Sequence, residues 1–172
     1  MSVPAIIDDL SRAFPEAATG TRWALITDRV MGGVSNGNLT RTEVHGRPAL
    51  RMTGGVSLAN NGGFVQMALD LAPGGGAVDA RGWAGIEVDV LGNGESYGLH
   101  LRTTDMLRPW QSFRQGFVAP PLWQTLRLPF AGFAPHRTEA AFAPDRLRRL
   151  GLVATGRAFA ADLAVARIAF WR

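Results

Sequence analysis

The sequence predicts an all-β fold, an antiparallel sandwich or barrel, on three observations. Apolar and polar residues alternate with a period of two in many short segments. Glycine and proline, 21 and 10 in number, punctuate those segments. Helical spacing is almost confined to the N-terminus. Several evenly spaced short strands with turn signals between them call for a sandwich or barrel rather than a helix-covered sheet.

Pro4 to Phe14 reads as a short helix, with Ile6, Ile7, Leu10 and Phe14 on one side and Pro15 ending it. Trp23 to Ile26 is a short strand leading into Asp28-Arg-Val-Met31-Gly32-Gly33-Val-Ser35-Asn-Gly37. Asn38 to Val44 and Pro48 to Thr53 flank His45-Gly46-Arg47 as a hairpin. Phe64 to Leu71 alternates Val65, Met67, Leu69 and Leu71 against Gln66, Ala68 and Asp70. After the turn Pro73-Gly74-Gly75-Gly76, the segment from Gly85 to Leu91 sets Ile86, Val88 and Val90 against Glu87 and Asp89. Ser96 to Arg102 puts Tyr97, Leu99 and Leu101 inward and His100 and Arg102 outward. Trp110 to Phe117, Trp123 to Leu128, Leu150 to Thr155 and Leu163 to Phe170 supply the remaining strands. Thr138 to Leu147 reads as a weak helix or an irregular crossover, and a last strand reaching nearly to Arg172 is expected to be paired within a sheet. Residues 1–19 form an extension packing on one domain of residues 20–172.

At 172 residues and 47% apolar composition the chain holds enough material for one core, burying roughly 70% of its unfolded surface. The absence of cysteine excludes disulfides, thiolate catalysis and cysteine-ligated zinc or iron–sulfur sites, and fits a reducing compartment. The N-terminus carries no basic region before an apolar run, and no apolar run approaches the roughly 20 residues a spanning helix needs. A cytoplasmic protein without an integral membrane segment is expected, one that a partner could hold at the inner membrane. All 18 basic residues are arginine, against 14 acidic ones. They are scattered, with only Arg146, Arg148 and Arg149 adjacent, and no basic stripe interleaved with aromatics argues for nucleic acid.

Neither glycine segment holds a complete catalytic set. A phosphate loop would need a lysine and a βαβ unit, and neither is present. His45, His100 and His136 are too far apart for a local metal motif, so no metal and no cofactor are expected. His45 belongs to a hairpin turn and His136 to a loop, whereas strand parity puts His100 on a polar sheet face near Arg102. Glu87 and Asp89 share a strand face as well. If these strands are neighbours, Gln66, Asp70, Glu87, Asp89, His100 and Arg102 form one polar face suited to a carbohydrate, and a carboxylate pair there could hydrolyse a glycoside. Trp23, Trp83, Trp123 and Trp171 belong to the core or its rim. Trp110, followed by Gln111, is the candidate for an exposed aromatic platform. Asp28 is placed to cap the glycine turn through its carboxylate, and Asn60-Asn61-Gly62-Gly63 reads as a turn of residues that tolerate left-handed backbone.

Trp23 and Asp28, Met31-Gly32-Gly33-Val-Ser35, Gly54-Gly55-Val56-Ser57-Leu58 and Asn60-Asn61-Gly62-Gly63-Phe64 together resemble the complex I intermediate-associated protein 30 family. Trp110-Gln111-Ser-Phe113, Trp123, Leu128-Pro129-Phe130 and Phe133-Ala-Pro135 are similar to its C-terminal half, so the resemblance spans residues 20–171. It implies a galactose-binding-like jelly roll and no catalytic residues. Mitochondrial members of that family are chaperones in assembly of respiratory NADH:ubiquinone oxidoreductase; bacterial members are free-standing domains.

The first expectation is therefore a non-catalytic interaction module aiding assembly of a larger complex, with a protein partner. Asp28, Met31, Asn60, Asn61 and Phe64 would shape one rim, and the polar sheet face would meet that partner. The second is a module for a carbohydrate-like ligand, with Trp110 or Tyr97, Gln111, Glu87, Asp89, His100 and Arg102 converging on a concave site. A hydrolase comes third.

Overall fold

A computed structural model describes residues 3–172, which form an antiparallel sandwich of two sheets. The strands are β1 (Ile6–Asp8), β2 (Ala24–Thr27), β3 (Asn38–Val44), β4 (Arg47–Val56), β5 (Phe64–Asp70), β6 (Gly85–Leu91), β7 (Ser96–Thr103), β8 (Ser112–Val118), β9 (Gln124–Pro129), β10 (Ala134–His136), β11 (Leu147–Thr155) and β12 (Phe159–Trp171). One sheet runs β3-β4-β12-β6-β9, with β1 also on β12; the other runs β10-β8-β7-β11-β5-β2. Apart from the β3–β4 and β7–β8 hairpins, successive long strands swap sheets, so the two layers cannot fold separately.

The period of two produces the core. Val65, Met67 and Leu69 of β5 face Ile86, Val88 and Val90 of β6 across the sandwich, joined by Leu99 and Leu101, Leu150 and Leu152, and Leu163 and Val165. Each such side chain contributes about 1.5–3 kcal/mol by leaving water. The sequence-predicted last strand lies between β4 and β6, which explains why the C-terminal residues stay apolar up to Phe170. Its length of 13 residues exceeds the expected span because Phe159 to Asp162 continue to pair with Thr53 to Val56. The hairpin turn at His45-Gly46 holds both residues at positive φ, +46° and +77°, as a two-residue turn requires.

One expectation is corrected. The N-terminal helix is a strand: Ile6 and Asp8 pair with Ala169 and Ile168, and Leu10 sits at φ +61°, outside any right-handed helix. The apolar spacing that suggested a helix serves instead to put Ile7 and Leu10 into the common core. Asp8 closes the segment, its carboxylate accepting from the backbone of Leu10 and Ala18 and from the Trp23 indole N–H at 2.7 Å. In the crossover after His136, the only ordered turn is a 3-10 one at Pro144–Arg146, and β10 precedes it as a strand the sequence did not signal.

Candidate functional site

Asp28 links the two glycine segments. It begins a 3-10 turn, Asp28–Met31, capped by Thr27, and its side chain is fully buried. Its carboxylate accepts the Ser35 N–H at 3.0 Å, the Ser35 hydroxyl, the Gly63 N–H and, more weakly, the Phe64 N–H at 3.3 Å. Burial alone would raise its pKa; the Ser35 hydroxyl and the three backbone donors outweigh this and hold it below the usual carboxylate range. The glycines make room: a Cβ on Gly33 would lie 2.5 Å from the Asp28 carboxyl carbon, and one on Gly62 2.4 Å from Oδ2. Asn60 and Asn61 take positive φ, and the Asn60 amide reaches the Gly32 carbonyl. Asp28 thus shapes the loops without being reachable by a ligand. What it sets in place is Val30, Met31 and Phe64.

Those three residues form one wall of a cleft of about 700 Å³ on the outer face of the second sheet. Strand parity builds the floor. On β7, Leu99 and Leu101 point inward, so His100 and Arg102 point out; on β8 the same logic sends out Ser112 and Arg114, and on β11 Arg149 and Val153. Pairing aligns His100 with both Gly151 and Arg114, and Ser112 with His136. Gly151 has a use here, since a Cβ there would sit 2.6 Å from the Gln66 side-chain oxygen. The opposite wall is the loop before β8, which carries Pro109 and Trp110. Trp110 is 52% exposed, with Arg108 over its ring. Gln111 fixes this loop from behind: its carbonyl accepts from Arg102, its side-chain oxygen accepts the Arg108 N–H, and its amide donates to the Arg137 carbonyl.

The cleft is cationic. Arg102, Arg114, Arg137 and Arg149 line it with His100 and His136, and its lining includes no carboxylate. Burial, then Arg114 and then His136, pushes the His100 imidazole down to about 3, so it is neutral at physiological pH. His136 is lowered by burial, Arg114 and Arg137. Burial first and neighbouring arginines second lower Arg102 and Arg114 as well. Among the described residues no group of acidic and histidine side chains could hold a metal ion, and no helix is long and apolar enough to cross a membrane.

The single polar face expected from sequence divides between the two sheets. Glu87 and Asp89 lie on the outside of the first sheet, in pairs of their own: Glu87 with Arg127 and Arg167, Asp89 with Arg47 and the Thr125 hydroxyl. His100, Arg102, Gln66 and Asp70 lie on the second. Tyr97 is buried, its hydroxyl donating to Asn93 and accepting the Asp162 N–H. Of the sequence-named residues the structure brings Met31, Phe64, Gln66, His100, Arg102 and Trp110 together at the cleft, with Gln111 behind them; Asp28, Asn60, Asn61, Asp70, Glu87, Asp89 and Tyr97 stand outside its lining. Arg114 and Arg149 were missed although strand parity was signal enough. His136 and Arg137 were missed because the three-residue β10 carries no pattern.

The model of the complex I intermediate-associated protein 30 family matches residues 12–165. This chain belongs to that family. No curated protein matches it in sequence. The fold of this family member is similar to that of the family 11 carbohydrate-binding module from Clostridium thermocellum, solved in complex with a β-1,3-1,4-mixed-linked tetrasaccharide: TM-score 0.74, 12% identity, covering 99% of this chain and 97% of that one. A family 30 carbohydrate-binding module of a cellulosomal cellulase of the same organism aligns with TM-score 0.58 and 16% identity over 98% and 92% of the two chains. An exo-β-agarase aligns with TM-score 0.55 and 9% identity, over 95% of this chain and 24% of its own.

Proposed function

We propose that this family member is a non-catalytic interaction module that grips a segment of a partner protein in the cleft, in the course of assembling a multi-subunit complex. The observation that carries the reading is the lining itself: apolar Ile26, Val30, Met31, Phe64, Trp110 and Val153 interleaved with arginines, with hydrogen-bond donors far outnumbering acceptors. A neutral sugar presents hydroxyls that both donate and accept, and it is held by mixed sets including carboxylates and amides. A polypeptide segment presents apolar side chains and carbonyl acceptors, which this lining answers. The family's description, an association with complex I intermediates, supports a protein partner. Glycoside hydrolysis would need two carboxylates facing each other across the cleft, and the lining supplies none.

A carbohydrate-like ligand is the second reading, favoured by the exposed Trp110 ring at the rim and by the modules that share the fold. The two are separated by comparing the intact protein with a Met31→Ala/Trp110→Ala variant in two assays. Cross-linking in the native host should yield defined protein partners that the variant loses. Migration through gels containing mixed-linked β-glucan should be unretarded for both. Retardation of the wild type that the variant abolishes, without protein cross-links, would overturn the protein reading in favour of the sugar.

A further inference from the structure

Seven arginines outside the cleft are ion-paired to carboxylates, while others there, such as Arg29, Arg41 and Arg172, donate to backbone carbonyls. On the first sheet's outer face Arg47, Arg127 and Arg167 are each tied to Asp89 or Glu87, and elsewhere Arg51, Arg81, Arg146 and Arg157 each have a carboxylate partner. In the cleft carboxylate pairing falls away. Arg114 spends its Nε–H on the Ser112 hydroxyl and has no carboxylate partner. Arg137 makes no side-chain hydrogen bond or ion pair among the described residues. Arg102 donates only to the Gln111 and Arg108 carbonyls, and Arg149 meets Asp70 at a long 3.4 Å. Four guanidinium groups therefore converge on one cavity with a single acid, Asp70, at its margin.

That concentration has a cost. Like charges around partly desolvated space repel: Arg102 is shifted toward losing its proton by burial and then by Arg148 and Arg149, and Arg114 by burial and then by Arg137. The two histidines beside them stay neutral and add no acceptor charge to relieve it. An anion in the cleft would relieve it, through forked guanidinium–carboxylate hydrogen bonds stronger than neutral ones.

Resting on the protein-binding reading above, we infer that the segment the cleft receives is acidic: an extended stretch of partner polypeptide in which Asp or Glu alternates with apolar residues. The spacing supports this. Lining residues run from Ile26 on β2 to His136 on β10, across all six strands of the sheet. Five strand spacings of about 4.8 Å make roughly 24 Å, the reach of about seven extended residues. In such a segment successive side chains point opposite ways, so one face meets the arginine-bearing floor at Arg102 and Arg114. The segment's apolar side chains meet the two walls, Met31 and Phe64 on one side of the cleft and Trp110 on the other. A bare phosphate or small carboxylate would satisfy the arginines and leave both apolar walls in water.

The test is an array of octapeptides in which Asp/Glu alternates with Leu, Val or Phe, each beside its Asn/Gln counterpart, probed with the intact protein by fluorescence polarisation. Acidic peptides should bind, their amide counterparts about tenfold or more weaker, and binding should weaken with added salt. The double variant Arg114→Gln/Arg137→Gln, verified as folded by its urea midpoint, should lose about tenfold in affinity, while Arg127→Gln on the opposite face should lose nothing. Equal binding of acid and amide peptides, or unchanged affinity in the double variant, overturns the inference. So does arginine-dependent binding of polygalacturonate without any peptide binding, which would make the ligand an acidic glycan. Partner cross-links that persist in the double variant while every acidic peptide fails would leave the protein-binding reading standing and remove only its acidic form.

Discussion

The Asp28 carboxylate receives the backbone N–H of Gly63, a residue 35 positions away in sequence, at 2.5 Å. This bond, with those from Ser35, makes two loops into one structure and fixes the wall that carries Met31 and Phe64. Asp28→Ala would leave the buried N–H groups of Ser35 and Gly63 and the Ser35 hydroxyl short of an acceptor. It should cost about 3 kcal/mol, read as a lowered urea midpoint. A loss below about 1 kcal/mol would mean that water replaces the carboxylate, and the tie would not be what holds the loops. Because the folded-state pKa is depressed, this contribution is complete above the unfolded carboxylate value and fades as pH falls through the folded one.

Gly32 and Gly33 adjoin but resist substitution for different reasons. Gly32 has open space around its missing Cβ and a φ of +86°, so Gly32→Ala should cost about 1 kcal/mol of backbone strain. At Gly33 the obstacle is Asp28 itself, 2.5 Å away. A double-mutant cycle separates them. Gly33→Ala should be markedly less harmful in an Asp28→Gly background, with a coupling of about 1 kcal/mol or more. That background also removes the Asp28 Cβ, which would lie 2.9 Å from the added methyl. Gly32→Ala should be additive with Asp28→Gly. Additivity at Gly33 would place the strain elsewhere.

Much of this architecture was legible because a sandwich is written in period two. The strands from Asn38 to Leu101 were readable where inward residues alternate with polar ones, as at Val65, Met67 and Leu69. Sheet membership was not. Nothing local to Glu87 or His100 says which layer its strand joins, and that assignment decides whether they share a face. The N-terminal segment misled because Ile6, Ile7 and Leu10 fit two periods over so short a run, and pairing with β12 settled the matter. The cleft was half legible: Met31, Phe64, His100, Arg102 and Trp110 carried signals, and strand parity turns Arg114 and Arg149 outward, but bringing them beside those residues with Arg137 also depends on strand order.

His100 should make the protein acid-sensitive earlier than its carboxylates do. Its folded-state pKa, about 3, lies below the unfolded value near 6.5, so the unfolded chain binds the proton more readily. Above pH 6.5 both states are neutral there and His100 contributes no pH dependence. Between 6.5 and 3 stability falls as pH falls, and below 3 the slope from this group ends. Urea unfolding at pH 7 and pH 5, where carboxylates remain largely ionised, should show a loss in the wild type that is smaller in His100→Gln. Equal losses in the two proteins would mean that His100 does not set the acid limb.

Trp110 offers the sharpest separation of structure from binding. Its ring is half exposed and its loop is held by Gln111 rather than by the ring, so Trp110→Ala should shift stability by no more than about 0.5 kcal/mol. Glu87 provides the contrast, since it neutralises Arg127 and Arg167 on the far sheet. Glu87→Gln should cost stability modestly, about 1 kcal/mol or less given that Arg127 is mostly exposed, and should leave partner cross-linking intact. Trp110→Ala should do the reverse, sparing the urea midpoint and abolishing cross-links. If instead Glu87→Gln removed the cross-links and Trp110→Ala did not, the working surface would be the outer face of the first sheet, and the cleft would be a cationic hollow without a partner.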